Sequence, residues 1–275
     1  MSKGYLIFAV GDRCVEQAYL CALSIKASQS AVNSVSIVSN SDIPKKYTDI
    51  FDNVIVEQIE DYSRYKTKLR AKAYDLTPYE ETIVLDSDML FTSDVSDWWD
   101  KLQQHDLLFT TQIKTYRNEV TDNRYYREIF DKFNLDNTYV AVHYFRKTEL
   151  AGIFYSLVKL ISSNERKYYE EILENKKDIT PSFDFTCSLV IKLLDLQGVA
   201  TLKNSPYPTF VHLKGQNQNW IEGCTDWTMK VPYFVDEDLN VFVGNYKQHG
   251  ILHYTEDSFV TSELVKLYEE KNAVS

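Results

Sequence analysis

The chain has 275 residues, 44% hydrophobic and 25% charged, which is typical of a globular protein with a sizeable core. It contains only 8 glycines and 6 prolines, which excludes collagen-like and low-complexity sequence. The formal net charge of −10 disfavours a protein that coats nucleic acid, although it leaves a local basic cleft open. The four cysteines have no C-x-x-C spacing and no zinc-finger histidines, so we expect them to be reduced and structural.

Strand and helix patterns alternate in the first third of the chain. A buried strand is predicted at "YLIFAV", followed by a helix at "CVEQAYLCALSIKAS", whose apolar residues recur at three- and four-residue spacing. Further strands are predicted at "SVSIVSN", "NVIVEQI" and "TIVLD", with a helix over 61–76 before the last of them. Alternating strands and helices predict an α/β fold with a mixed, mostly parallel central sheet flanked by helices.

The rest of the chain continues with both element types. A short helix is predicted at "SDVSDWWDKLQ", strands at "DLLFTT", "TYVAVHYFRK" and "GILHYT", and a final helix opening near Ser258. Longer helices are predicted over 148–162, 165–175 and 182–197. The sequence has no linker-like stretch or internal repeat. We therefore expect a single domain, 1–275, with an insert or lid at about 112–137.

Nothing in the sequence predicts export or membrane insertion. The opening "MSKGYLIFAVGDR" lacks the long apolar region and cleavage site of a signal peptide. The longest apolar run elsewhere, "AGIFYSLVKLI", contains a lysine and is too short to span a bilayer. We therefore expect a cytoplasmic protein with no membrane partner.

Two aspartates, Asp86 and Asp88, follow the predicted strand "TIVLD" directly. Burying two like charges without compensation costs several kcal/mol each, so a cation is expected between them. Carboxylate oxygens suit Mg²⁺ or Mn²⁺, and ligands of open α/β sheets bind beyond the carboxyl ends of the strands. The alternatives are two solvated carboxylates at a strand end, or the nucleophile and acid of a phosphatase similar to the haloacid dehalogenases.

The stretch "TKLRAKAYDLTPYEETIVLDSDML" resembles glycosyltransferases of the GT-A fold, in particular the family-8 group that includes glycogenin and bacterial galactosyltransferases. The resemblance covers 66–91 closely and the chain from Tyr5 to Trp220 more loosely. "HLKGQNQNW" matches the H-x-x-G-x-x-K-P-W motif of that group except where Gln218 and Asn219 replace Lys and Pro. The resemblance implies transfer of a sugar from a nucleoside diphosphate, with a UDP-sugar favoured and the anomeric configuration retained.

The resemblance also implies the residues of a metal site. Asp86 and Asp88 would hold Mn²⁺ or Mg²⁺, with Asp88 the more direct ligand and Ser87 between them. His212 is the predicted third ligand because it opens the H-x-x-G motif. His253, which ends the strand-like "GILHYT", is the rival for that position.

Further residues are predicted to contact the donor or the transferred sugar. Asp184, at the start of a predicted helix, is the candidate catalytic carboxylate; the alternative is a carboxylate that only interacts with the helix dipole. Within "RYKTKLRAK", Lys68 and Arg70 are the candidates for the donor diphosphate, Lys72 shares a helical face with Lys68, and a solvated basic face is the alternative. The remaining candidates for binding the donor are Val10, Gly11, Lys214 and Gly215.

The sequence leaves the acceptor open. A glycan or a protein is favoured, but basic and aromatic residues alternate from Lys114 to Arg127, a mixture that also suits a modified base in phage DNA. Two other functions compete with glycosyl transfer. A nucleotidyltransferase would carry a Gly-rich loop after the first strand, where only Gly11 stands. A decayed scaffold that binds a nucleotide sugar or a carbohydrate is compatible with the altered H-x-x-G motif.

Overall fold

The computed structural model describes residues 2–58, 65–121, 128–164, 167–168, 171, 182–213 and 226–274. Within these ranges the strands form three sheets of six, five and three strands. The strands are β1 (Lys3–Ala9), β2 (Val35–Ser39), β3 (Asn53–Val56), β4 (Glu81–Asp86), β5 (Met89–Phe91), β6 (Leu107–Thr110), β7 (Ile113–Lys114), β8 (Val120–Thr121), β9 (Tyr139–Arg146), β10 (Phe210–His212), β11 (Tyr233–Val235), β12 (Val241–Val243), β13 (Tyr246–Lys247) and β14 (Ile251–His253).

The helices include two that the sequence did not predict, Lys45–Thr48 and Glu128–Lys132, and the last begins at Ser262 instead of near Ser258. They are α1 (Asp12–Ser28), α2 (Lys45–Thr48), α3 (Tyr65–Arg70), α4 (Ala73–Leu76), α5 (Trp98–Leu102), α6 (Glu128–Lys132), α7 (Glu149–Ser163), α8 (Phe183–Leu193) and α9 (Ser262–Val274). Single 3₁₀ turns lie at Trp227–Met229 and Asp257–Phe259. None of the helices in the described ranges is both long and apolar enough to cross a membrane.

The central sheet has the strand order β3-β2-β1-β4-β9-β6. Its first four strands, β3, β2, β1 and β4, are parallel to one another, whereas β9 runs antiparallel to both β4 and β6. The predicted mixed, mostly parallel α/β fold class is therefore confirmed. The parallel strands β1 and β4 are adjacent, so the loops after their carboxyl ends lie side by side.

Helix α1 shows why the first loop has its shape. Val15, Ala18, Ala22 and Ile25, the apolar positions of the predicted helix, are all buried in the core. Gly11 precedes the helix with a φ of 86°, a conformation that a residue with a side chain adopts only under strain. Its N–H donates to Oδ1 of Asn40 at 3.0 Å, which ties the loop after β1 to the end of β2.

The predicted helix over 61–76 is interrupted. Residues 61–64 lie outside the described ranges, and the remainder forms two short helices, α3 and α4, separated by a turn at residues 71–72. Because the helix does not run through, a helical wheel over 66–72 does not give the side-chain directions there.

The second sheet has the strand order β5-β14-β10-β7-β8 and begins next to the aspartate pair. β5 begins directly after Asp88 and pairs antiparallel with β14, so that Met89 lies opposite His253. β14 in turn pairs parallel with β10, which places His253 opposite His212. Two histidines far apart in the sequence are thus brought next to the aspartate pair.

A neutral histidine lies in the core between β9 and α7. His143 is 2% exposed, stacks on Phe109 at a ring-centroid distance of 4.9 Å, and uses both ring nitrogens in hydrogen bonds. Its partners are the Val140 carbonyl and the Tyr155 hydroxyl, each at 2.9 Å. Burial, with a further contribution from the charge of Arg70, lowers the pKa of His143 to about 3.

This buried histidine should make the fold sensitive to acid. Below pH 6.5 the unfolded chain protonates His143, while the folded chain does not until about pH 3. The unfolded state then binds the extra proton, so stability falls as pH falls, by roughly 1.4 kcal/mol per pH unit. Urea unfolding between pH 7 and pH 4 should show His143→Gln less stable than the wild type at pH 7, with a gap that narrows as pH falls. Parallel stability curves for the two proteins would contradict this.

Candidate metal and nucleotide site

The aspartate pair lies where a buried strand reaches a cavity. Asp86 is the last residue of β4, and the turn at Ser87 and Asp88 leads into β5. The turn changes the chain direction, so both carboxylates line the same cavity of about 500 Å³ instead of opposite faces of a strand. The cavity is lined by Phe8, Val10, Arg13, Cys14, Gln17, Arg70, Asp86, Ser87, Asp88, Thr255 and Asp257.

His253 completes a group of possible metal ligands with the two aspartates. One ligand atom from each of Asp86, Asp88 and His253 lies within 4.8 Å of the others. Nε2 of His253 is 2.9 Å from Oδ2 of Asp88. Burial raises the pKa of Asp88, but His253, together with a backbone hydrogen bond and the charge of Arg70, outweighs burial and lowers that pKa to about 2. Two carboxylate oxygens and an imidazole nitrogen are a ligand set that fits Mn²⁺ or Mg²⁺.

Arg70 forms an ion pair with Asp86 at the other side of the turn. Burial, together with the neighbouring charge of Asp88, raises the pKa of Asp86 against the opposing effect of Arg70. The two other basic candidates lie elsewhere: Lys68 is not among the residues lining the cavity, and Nζ of Lys72 is 2.5 Å from Oε1 of Glu57. Of the three, Arg70 is therefore the residue that the fold brings to the aspartate pair.

His212, the predicted third metal ligand, lies behind the ring of His253 and not beside the two aspartates. Its ring stacks on His253 with centroids 4.7 Å apart and an interplanar angle of 9°. The group of possible ligands within the described ranges contains His253, the rival, and not His212. A role of His212 as a ligand stays a prediction, and in this structure it supports the ring of His253.

Asp184 lies in the first turn of α8, which Ser182 caps by accepting a hydrogen bond from the N–H of Phe185. Oδ1 of Asp184 accepts a hydrogen bond from the N–H of Val140 at 2.9 Å. The charge of Asp184 also contributes to the raised pKa of Asp86, so the two carboxylates influence each other electrostatically. Its catalytic role stays a prediction.

The other predicted donor-binding residues are placed as follows. Val10 and Ser87 line the cavity, and Gly11 forms the turn into α1 beside it. Lys214 and Gly215 lie outside the described residues, as do the altered positions Gln218 and Asn219 and most of the helix predicted over 165–175.

Sequence reasoning missed four polar residues of this cavity: Arg13, Gln17, Thr255 and Asp257. The Ser87 hydroxyl donates to Oε1 of Gln17 at 3.3 Å, and Nε2 of Gln17 donates to Oδ1 of Asp257 at 2.8 Å. Gln17 is polar but only 5% exposed, and it lies on α1 among buried apolar residues. A polar residue within the apolar part of this helix was the sequence signal that could have identified it as a site residue.

No family model and no curated protein matches the chain. Solved structures that match are glycosyltransferases. Two are crystal structures of the glycosyltransferase GlyE from Streptococcus pneumoniae TIGR4, with 15% and 13% identity over 74% and 98% of this chain, and TM-scores of 0.39 and 0.44. A third is the galactosyltransferase LgtC in complex with donor and acceptor sugar analogs, with 13% identity over 98% of this chain and a TM-score of 0.48.

The chain covers different shares of these proteins. It spans 46% and 60% of the two GlyE chains and 95% of the LgtC chain. The chain also spans 50% of the bifunctional glycosyltransferase WbbM in its apo structure, with 11% identity and a TM-score of 0.47.

The Arg70–Asp86 ion pair should stabilise the folded protein, because each charge compensates the other. Replacing Arg70 with Gln leaves Asp86 without its cation, and we expect a loss of about 1–3 kcal/mol in unfolding free energy. Adding Asp86→Asn should recover most of that loss, because the uncompensated charge is then gone. Urea unfolding of the wild type, both single variants and the double variant measures this coupling. Strictly additive effects of the two substitutions would contradict it.

Proposed function

We propose that the protein is a metal-dependent glycosyltransferase. It would move a sugar from a nucleoside-diphosphate sugar, with a UDP-sugar favoured, to a hydroxyl acceptor, with retention of the anomeric configuration. The observation that carries the proposal is the group Asp86, Asp88 and His253 at the carboxyl end of β4. Both aspartates line a cavity together with Arg70. Open α/β sheets bind nucleotides at such strand ends.

The cavity contains groups suited to an anionic donor. Asp86, Asp88 and His253 would hold Mn²⁺ or Mg²⁺, and the ion when bound would neutralise charge on the departing diphosphate. Arg70 and Arg13 lie on the cavity wall, and their guanidinium groups can donate hydrogen bonds to phosphate oxygens. Fixed cationic donors of this kind stabilise a leaving group whose negative charge increases in the transition state.

Other residues would orient the reactants. Val10 and Gly11, at the end of β1, would contact the nucleoside beside the cavity, and Asp184 would hold a hydroxyl of the transferred sugar or take up a proton. The N–H of Val140 donates to Oδ1 of Asp184 at 2.9 Å and so fixes the orientation of this carboxylate. This anchoring supports an orienting role.

The acceptor we propose is a hydroxyl group of a glycan or a protein. Two of the residues considered for DNA contact each other: the guanidinium of Arg117 lies 5.5 Å from the ring centroid of Tyr116. The ring of Tyr116 in turn packs edge-on against Tyr246 at 5.8 Å. Residues 122–127 lie outside the described ranges. The net charge of −10 further favours an acceptor other than DNA.

Glycosyl transfer predicts slow, metal-dependent cleavage of one donor. The protein would be incubated with Mn²⁺ and UDP-, GDP- or CMP-linked sugars, and the released nucleotide quantified. Asp88→Asn should reduce release at least about 100-fold, because it removes a charged ligand of the ion. Asp97→Asn is the matched control, since Asp97 is exposed, lies outside the cavity lining and pairs with Lys101 four residues away.

Unchanged release by Asp88→Asn would contradict the metal-dependent mechanism. Metal-dependent nucleotide binding without cleavage, in any mixture of acceptors, would favour the second candidate, a decayed scaffold that binds a nucleotide sugar.

The third metal ligand can be identified by substitution. Because His253 lies within ligand distance of both aspartates, His253→Ala should weaken Mn²⁺ binding by about 10–100-fold. His212→Ala should have a smaller effect, because it removes only the ring stacked on His253. Titration of Mn²⁺ by electron paramagnetic resonance measures both, with circular dichroism as the control for folding. A larger effect of His212→Ala would instead assign His212 as the ligand.

A further inference from the structure

A second cavity, of about 470 Å³, lies next to the proposed donor cavity. Its walls come from α1, α2, α9 and the turn that precedes α9. Arg13 lines both cavities, so the two share a wall. The volume falls in the range of small-molecule sites, roughly 300–1,000 Å³, which would accommodate a mono- or disaccharide.

The wall between the two cavities is held by ion pairs. Nη1 of Arg13 is 2.8 Å from Oε2 of Glu16, one turn further along α1. The same guanidinium donates to the backbone carbonyl of Asp257 and lies near its carboxylate. Arg13 therefore has partners on both sides, Glu16 in the lining of the second cavity and Asp257 in that of the first. No residue of the metal group lines the second cavity.

Apolar surface in the second cavity comes from two tyrosines and two valines. The rings of Tyr19 and Tyr47 pack with centroids 4.9 Å apart, and Val260 and Val265 lie on the opposite helix and its preceding turn. Tyr47 is half-buried, so part of its ring faces the cavity. Such a wall can contact the C–H faces of a sugar ring.

Two carboxylates supply acceptors at either end of this aromatic wall. The hydroxyl of Tyr47 donates to Oε1 of Glu16 at 3.2 Å, and that of Tyr19 donates to Oε1 of Glu269 at 2.8 Å. An ionised carboxylate can accept about four hydrogen bonds, so Glu269 retains acceptor capacity for a ligand. Nζ of Lys46, 4.4 Å from the ring centroid of Tyr47, supplies a donor.

The charged groups of this cavity are two cations, Arg13 and Lys46, and two carboxylates, Glu16 and Glu269, so its lining has no net charge. An ion of either sign is attracted by one pair and repelled by the other, so net charge on the ligand brings no advantage. A neutral ligand rich in hydroxyl groups can donate to the carboxylates, accept from Lys46 and cover the aromatic wall at once. Carbohydrates have this combination of groups.

We propose that the second cavity is a binding site for neutral carbohydrate. It takes one or two sugar residues between Tyr47 and Glu269, beside the donor cavity but not in it. The site does not depend on glycosyl transfer at the metal group, since none of its lining residues belongs to that group.

The test measures binding of defined neutral oligosaccharides to the full chain. Lactose, maltotriose and cellotriose are titrated by isothermal calorimetry and by saturation-transfer NMR, first with the wild type. For a sugar that binds, Tyr47→Ala should raise Kd at least fivefold. Glu269→Gln should raise it at least threefold, while the amide oxygen can still accept the bond from Tyr19.

Two controls separate this site from general destabilisation and from the donor cavity. Glu270→Gln changes the neighbouring residue of α9, which pairs with Lys266 and does not line the cavity, and should leave Kd within twofold of the wild type. Asp88→Asn should also leave oligosaccharide binding unchanged, although it abolishes Mn²⁺-dependent nucleotide release.

Several results would overturn the proposal. These are no saturable binding of any of the three sugars, binding lost in Asp88→Asn but kept in Tyr47→Ala, or UDP binding that Tyr47→Ala removes. Oligosaccharide binding that depends on Tyr47, in a protein that releases no nucleotide, would support the second site while contradicting glycosyl transfer.

Discussion

The site depends on the compensation of two carboxylates held next to each other at the end of a buried strand. Burial and mutual repulsion both disfavour the ionised forms of Asp86 and Asp88. Arg70 forms an ion pair with Asp86, and His253 forms one with Asp88. These two partners come from different parts of the chain. The two acids consequently differ, with the pKa of Asp86 raised and that of Asp88 lowered. The charge pattern exists only when α3, β4 and β14 are all in place.

The residues of this arrangement lie on two different sheets. The parallel part of the central sheet brings the loops after β1 and β4 to one edge, where they form the cavity floor. The second sheet begins immediately after Asp88 and fixes His253 opposite Met89. Because side chains alternate along a strand, a slip of one residue in this pairing would turn His253 to the other face. The register between β5 and β14 is therefore as important for the site as the ligands themselves.

The two neighbouring cavities differ in the charge they can accommodate. The first combines two arginines with a group of possible metal ligands, so an acidic protein with a net charge of −10 still offers a local site for an anionic donor. The second has carboxylates and a lysine arranged around tyrosines, which favours an uncharged, hydroxyl-rich molecule. Arg13 lines both cavities and pairs with Glu16 of the second and Asp257 of the first.

The sequence by itself determined the α/β class, the buried face of α1 and the position of the aspartate pair after β4, because these follow from local periodicity and from residues adjacent in the chain. It left Arg70 undecided against Lys68 and Lys72, since α3 ends at Arg70 and the helical spacing used to compare them does not continue. It also left two histidines as rivals. β10 and β14 are neighbouring parallel strands, so His212 and His253 both reach the same edge, and only the pairing of β14 with β5 decides which one lies against Asp88. Contacts between strands distant in sequence have no local pattern, and tertiary structure alone specifies them.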